Sequence, residues 1–272
     1  MSVLKELKKI NFPEKEAWIE DALFAYKHIS RYFKYKKNIN VLEVGCGLGI
    51  LASLIKENFS SIRGYGIEPY KSGYEKLSIK KNIISKQIKF KNISFEAYKP
   101  SCKFDIIYSV NVFEHLDDWQ HYLQKIQIWL KDDGKCIILC PNYAFPYESH
   151  FRLPIIYNKS FTRLIFNKYI DNYEKKNNTV GLWDSLNFVK MSEVKKYCSR
   201  NNLSFKYNNH IFTDIIDRFN EDKAFRKRQK IVGSIANLLY KIKLINLLKA
   251  KVFERFHPYM MLEISKMKSK KK

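Results

Sequence analysis

Along the first half of the chain, short apolar runs alternate with stretches of helical periodicity, the pattern of successive βαβ units around a mostly parallel sheet. The runs predict strands over 39–44, 62–67, 88–93, 104–109 and 135–140, and helices over 14–35, 50–58, 72–81 and 118–130. Asp132-Asp133-Gly134 reads as a turn into the fifth strand. After Pro141 the periodicity lapses into a Tyr-, Phe- and Asn-rich segment, 143–190, which reads as a helical insertion over the sheet of the kind that forms a lid. A capped helix is expected from Ser192, with Glu193 in its first turn, to about Arg200. A strand at 203–207 then resumes the parallel core. From Lys223 a basic run leads into Ile231, Ile235, Leu238, Ile242, Ile245, Leu248 and Val252, apolar at spacings of three or four, which predicts an amphipathic helix over 223–253. A last strand is expected at 259–264. The whole chain, 1–272, thus reads as one α/β domain, with a core at 36–142, the insertion at 143–190 and completion of the sheet over 191–267.

Composition narrows this picture. With 272 residues, 46% hydrophobic and 15% aromatic, the chain can bury a core without disulfides or a structural metal. Cys46, Cys102, Cys136, Cys140 and Cys198 are odd in number and lack paired spacing, which points to reduced thiols and a cytoplasmic setting. Cys136 and Cys140, the only close pair, would lie roughly 13 Å apart on one strand face, so no metal site is expected. Lys or Glu breaks every apolar run of the N-terminus, so no signal-peptide core is read there.

The formal net charge of +23 would suit an anionic partner, nucleic acid or an acidic membrane surface. Lys, Asn and Ile rise together in runs such as KKNIISKQIKFKNI, so the same charge also reads as solvated surface. Lysines interrupt 223–253 too often for a membrane span. That helix either packs on the domain, the commoner fate, or lies on a membrane as a peripheral contact.

The segment NVLEVGCGLGI places Gly45-Cys46-Gly47-Leu48-Gly49 between an apolar strand and an apolar helix, where glycines allow a tight turn and close approach to a ligand. Glu68 closes the second strand nineteen residues beyond Gly49, where a carboxylate can accept from both hydroxyls of a ribose. The dinucleotide fingerprint would want a glycine at position 50, and Ile50 stands there, which favours an adenosyl cofactor without a pyrophosphate.

At these residues the sequence resembles the class I, seven-stranded S-adenosylmethionine-dependent methyltransferases, in their small-molecule branch, over about 40–142 and more weakly to the end. The resemblance implies a doubly wound, mostly parallel seven-stranded sheet and S-adenosylmethionine as cofactor. It also implies a cofactor site formed by Glu43, Gly45, Cys46, Gly47, Gly49 and Glu68. FDIIYSVNVFEHLDDW looks like the family's fourth strand and following loop, which would set Ser109, Val110 and Asn111 beside the cofactor. NISFEAY would bring Ser94 and Phe95 to the adenine.

Transfer of a methyl group from a sulfonium is an in-line displacement that asks the protein to position the acceptor and, for a hydroxyl or ammonium, to take its proton. PNYAFPYESHFRLP gathers Tyr143, Tyr147, Glu148 and His150 in one loop after the fifth strand; His150 is the expected base, oriented by Glu148, with Tyr147 binding the acceptor. The competing reading is that the aromatics pack the insertion and His150 bonds a loop carbonyl. His115 is expected to shape the loop beside the cofactor, while Trp183, Asp184 and Asn187 would complete the pocket. His28, His121, His210 and His257 are expected to serve structure.

Three functions fit. The leading one is methylation of a hydroxyl, amine or carboxyl of a small molecule or glycan, including a lipid-linked one. RNA methylation is supported by charge, but SVNVFEH lacks the Asn/Asp-Pro-Pro-aromatic loop that engages a flipped base. The third is a cofactor-binding scaffold without catalysis.

Overall fold

The computed structural model of the chain describes residues 3–11, 15–70, 87–222 and 245–267, with positions 225, 226, 229, 233 and 238 between the last two stretches. Strands β1 (Asn40–Val44), β2 (Arg63–Ile67), β3 (Lys89–Lys91), β4 (Phe104–Val110), β5 (Leu130–Pro141), β8 (Leu203–Tyr207) and β9 (Tyr259–Lys266) form one seven-stranded sheet in the order β3-β2-β1-β4-β5-β9-β8. The first five pair in parallel; β9 is antiparallel to both β5 and β8, so β8 points the same way as β1 to β5. The resumed parallel strand is therefore present, but separated from β5 by a reversed one.

Every interior strand alternates between two apolar faces, and each face is covered by helices, as a doubly wound sheet requires. Val41, Ile106, Tyr108, Ile137, Leu139 and Met261 face a core closed by α1 (Val3–Lys9), α2 (Lys15–Ile29), α3 (Ile50–Asn58) and α8 (His210–Glu221). Leu42, Ile107, Cys136, Ile138, Met260 and Leu262 face the opposite core, closed by α4 (Trp119–Trp129) and α7 (Met191–Arg200). All five cysteines are free thiols.

The insertion is a β6 (Tyr147–Glu148) and β7 (Leu153–Pro154) ribbon followed by α5 (Lys159–Asn177) and α6 (Leu182–Ser185). It has a core of its own around Phe151, Ile170, Trp183 and Leu186.

Three expectations change. Asp132-Asp133-Gly134 is not a turn ahead of the strand: β5 already begins at Leu130, which pairs with Phe104, and Lys135 pairs with Ile106, so 131–134 bulge out of the ladder. The helix expected from a Ser192 cap starts one residue earlier at Met191, and its end is closed by Glu193, whose Oε2 accepts the Lys190 N–H at 2.9 Å. Most of the stretch 223–253 where an amphipathic helix is expected, and all of 72–81 where another is expected, lies outside the described residues. Its described end is not continuous: α9 (Ile245–Leu248) stops before Ala250, which is extended, and Lys251–Phe256 is a 3-10 turn that leaves Val252 65% exposed. Among the described residues, no helix is long and apolar enough to cross a membrane.

Candidate functional site

Strand order reverses between β1 and β4, and the crevice at the carboxyl ends of these strands is where a doubly wound sheet binds its ligand. The glycine turn lies there. Gly45, Gly47 and Gly49 have φ of 72°, 48° and 73°, and Gly49 starts α3. A Cβ on Gly45 would stand 2.2 Å from Val112 Cγ2, and one on Gly47 would stand 2.9 Å from the Trp18 ring. The turn is thus wedged between the β4 loop and α2 with its backbone at the crevice. Gly45 and Cys46 give their N–H groups to Ile67 O at 2.9 and 3.1 Å, and Cys46 is buried beneath the turn.

Two carboxylates hold this turn. Glu43, buried, accepts the Ala52 N–H at 3.1 Å and the Tyr108 hydroxyl at 3.2 Å, so it braces the start of α3 from below. Burial pushes it up to about 8, against the pull of those two bonds. Glu68 reaches across from the end of β2: its Oε2 accepts the Gly47 N–H at 3.0 Å and its Oε1 the Tyr70 N–H at 3.3 Å. Burial raises its pKa as well. The Tyr70 hydroxyl donates to Gly47 O at 2.8 Å and ties the same corner.

At the end of β4, Asn111 is exposed at φ 52° and its Oδ1 accepts the Tyr259 hydroxyl at 2.6 Å. Val110 is half-buried, whereas Ser109 is fully buried on the Ile107 side of the sheet, below the crevice. Phe95 packs edge-on against Tyr122 at 5.4 Å, and Ser94, half-buried, accepts the Tyr98 N–H on its carbonyl.

The loop after β5 delivers the predicted pair. His150 Nδ1 lies 2.6 Å from Glu148 Oε1, and the buried Glu148 also accepts the N–H groups of His150 and Phe151 and the Tyr143 hydroxyl. Burial alone would raise Glu148 and lower His150, but their mutual attraction outweighs it: the carboxyl is held below its ordinary value and the imidazole above its own. Tyr147 stands apart from the pair, its hydroxyl donating to Gln229 at 3.3 Å.

Beside this pair, the His115 ring centroid is 5.3 Å from that of His150. Its Nδ1 is 3.0 Å from Ser185 Oγ, and burial, with the charge of His150, pushes it down to about 3, so it is neutral. Asn187 fastens the insertion to the β4 loop: its Nδ2 donates to Phe113 O and Leu116 O at 2.7 and 2.9 Å, and its N–H to Glu114 O at 2.8 Å. Trp183 is buried in the insertion core and Asp184 is exposed.

Trp18, Tyr70, Val112, Glu114, Ser185 and Tyr259 were missed. Glu114, Val112, Tyr70 and Ser185 lie within two residues of ones already singled out, His115, Asn111, Glu68 and Asp184, whereas Trp18 and Tyr259 reach the crevice only through tertiary packing from remote segments.

Residues 18–190 match a family described as a methyltransferase domain. The Pelagibacter ubique ubiquinone biosynthesis O-methyltransferase is 29% identical over 183 residues, covering 66% of this chain and 68% of the relative. The Ilyobacter polytropus malonyl-[acyl-carrier protein] O-methyltransferase 1 is 27% identical over 228 residues, 82% of this chain and 72% of the relative. Among solved structures, the plantazolicin methyltransferase BpumL in complex with SAH superposes with a TM-score of 0.53 at 12% identity, covering 98% of this chain and 99% of that one, a likeness of fold. The seven-stranded sheet, the glycine turn and the acid closing β2 define an S-adenosylmethionine-dependent methyltransferase of Rossmann-like fold. The chain belongs to the methyltransferase-domain family, as its match over 18–190 shows.

The residues fit that cofactor. The turn is a cradle that a Cβ at Gly45 or Gly47 would disrupt, and Glu68 offers two acceptor oxygens beside it. Gly45, Gly47, Gly49 and Glu68 would hold the group, with Glu43 acting through α3.

Proposed function

We propose that the chain methylates a hydroxyl of a small organic molecule or glycan, with His150 as the base that takes the hydroxyl proton and Glu148 as its orienting partner. The observation that carries this reading is the 2.6 Å contact between His150 Nδ1 and a fully buried carboxylate. It fixes the imidazole with its Nδ1–H toward Glu148 and leaves the Nε2 lone pair for a proton, while the carboxylate stabilises the imidazolium that results. A carboxyl acceptor would already be ionised near neutrality and would need no such base, which favours the hydroxyl. Bound S-adenosylmethionine supplies a methyl group on a sulfonium, open to in-line displacement.

The insertion supports the reading in a second way. Asn187 and Ser185 lock its far end onto the β4 loop, so His150 is held against the crevice by a packed unit and not by a loose loop. Relatives named as O-methyltransferases agree with an oxygen acceptor, and others named as N-methyltransferases make an amine, whose ammonium the same base would deprotonate, the competing acceptor.

The test is transfer of radiolabelled methyl groups from S-adenosylmethionine by the full chain into a cell extract, fractionated into RNA, protein, lipid-glycan and small-molecule pools. Label in the small-molecule or glycan pool is expected. Label removed by ribonuclease would overturn the acceptor class, and no label despite cofactor binding would leave a scaffold.

A further inference from the structure

Glu114 is fully buried, yet among the described residues neither of its carboxylate oxygens has a hydrogen-bond partner. An orphaned buried carboxylate is costly and rare, and a group that persists in this condition calls for a positive partner. Its neighbours do not supply a donor. The Ser185 hydroxyl donates to Leu182 O at 2.8 Å, so its oxygen is the acceptor for His115 Nδ1–H, the tautomer that turns the lone pair to Nε2. His150 gives Nδ1–H to Glu148, so the atom it offers to a cation, once the ring is neutral, is Nε2. One ligating atom from each of Glu114, His115 and His150 lies within 4.8 Å of the others, so three groups able to give a lone pair converge on one point.

We propose that Glu114, His115 and His150 bind one divalent transition-metal cation, zinc, manganese or iron(II), at the mouth of β4 and on the acceptor side of the site. Two imidazoles and one carboxylate select such a cation over magnesium or calcium, which prefer all-oxygen shells. Ligand atoms around a cation held at about 2.0–2.2 Å stand roughly 3–3.5 Å apart, so side-chain movements of about 1 Å complete the shell. The supporting layer is in place. Glu148 holds His150 by Nδ1 and Ser185 holds His115 by Nδ1, the arrangement in which ligating histidines are commonly oriented. Asn187 pins the backbone of the turn that carries Glu114 and His115. Three protein ligands leave coordination positions open, to which an acceptor oxygen can bind.

The site overlaps the one in the proposed function. Proton and cation exclude each other at His150 Nε2, so the base role belongs to the cation-free chain. Cation binding is measured without methyl transfer, so the two readings fail separately.

The full chain, freed of metal by a chelator, is titrated with Co2+ by visible absorption and with Zn2+ by calorimetry. One equivalent is expected to bind, with ligand-field bands of mixed nitrogen and oxygen coordination. Glu114→Gln and His115→Gln are each expected to weaken it by more than about 100-fold, and Ser185→Ala by about 10- to 100-fold, with S-adenosylmethionine affinity retained as the folding control. Absence of saturable binding would overturn the proposal and leave a shared proton as the cluster's occupant; binding that survives both ligand substitutions would assign the cation to the surface. Should the variants not fold, Co2+-induced shifts of the His115 and His150 ring protons in the unaltered chain decide the matter: shifted signals support the site, unshifted ones exclude it.

Discussion

Glu68 takes the Gly47 N–H on its Oε2 at 3.0 Å, so the acid that closes β2 and the turn that closes β1 are one hydrogen-bonded corner. A ribose held by Glu68 would share that carboxylate with the turn. Glu68→Ala is expected to raise the dissociation constant for S-adenosylmethionine about 10- to 100-fold, the range for losing a hydrogen bond to a charged group. Calorimetry reads this directly, and an unchanged constant would remove Glu68 from the cofactor site.

Gly45 makes a sterically sharper case. Its φ of 72° suits glycine, and a Cβ would be 2.2 Å from Val112 Cγ2. Gly45→Ala should cost on the order of 2–3 kcal/mol in unfolding free energy and abolish cofactor binding. Adding Val112→Ala should recover part of the stability, since it relieves the clash but not the backbone strain; no recovery would show that strain alone is at fault.

For the base, His150→Ala is expected to lower kcat by about 100- to 10,000-fold while the cofactor dissociation constant stays put. In the cation-free chain, kcat/KM should rise with pH through a value above 6.5, because Glu148 holds the imidazole in its charged form. Glu148→Gln removes that charge and should move the profile to lower pH. A profile that does not move would detach Glu148 from the base.

Glu114 and Glu43, with Glu68 raised in the same direction, make the metal-free chain lose stability as pH rises. Burial lifts Glu114 to about 7 and Glu43 to about 8, above the 4.5 of a free glutamate. The folded chain thus binds their protons more tightly than the unfolded chain, and stability should fall as pH rises from about 4.5 through about 8. His150, also raised, acts in the same direction, while Glu148, depressed, costs stability only as pH falls through its own low value. Buried His115 and His28, pushed down to about 3 and about 4, act oppositely below about 6.5, so the share of Glu114 is read by difference. Urea unfolding of the chain and of Glu114→Gln at pH 5.5 and pH 8 should differ increasingly with pH, by on the order of 3 kcal/mol at pH 8.

Much of the fold was legible because its signals are local. Helix α3 matches its reading residue for residue, since Gly49 and the run from Ile50 mark its start unambiguously. The glycine turn, Glu68 and the Glu148–His150 pair were legible for the same reason, each lying within one short segment. The direction of β9 was not. A strand buried on both faces shows the same apolar run whether it pairs parallel or antiparallel. The bulge at 131–134 was hidden because two aspartates before a glycine favour a turn and a bulge alike. His115 and His150 are 35 residues apart, and their meeting depends on Asn187 and Ser185 farther still along the chain, a juxtaposition that no local pattern encodes.

Asn142 shows what the insertion can and cannot do. Its side-chain amide donates to Arg255 O and His257 O at 3.0 and 2.8 Å and accepts the N–H groups of Ala144 and Met191 at 3.2 and 3.1 Å, and it is buried. One residue at the end of β5 thereby joins the first turn of the insertion, the start of α7 and the segment leading into β9. The insertion, the acceptor wall of the proposed function, is consequently not an exchangeable cassette. A donor sequence grafted over 143–190 would inherit acceptor preference only if it also met the amide of Asn142 and replaced the clasp of Asn187. Divergence of substrate choice on this scaffold is therefore channelled into side chains that face the crevice, within an unchanged frame.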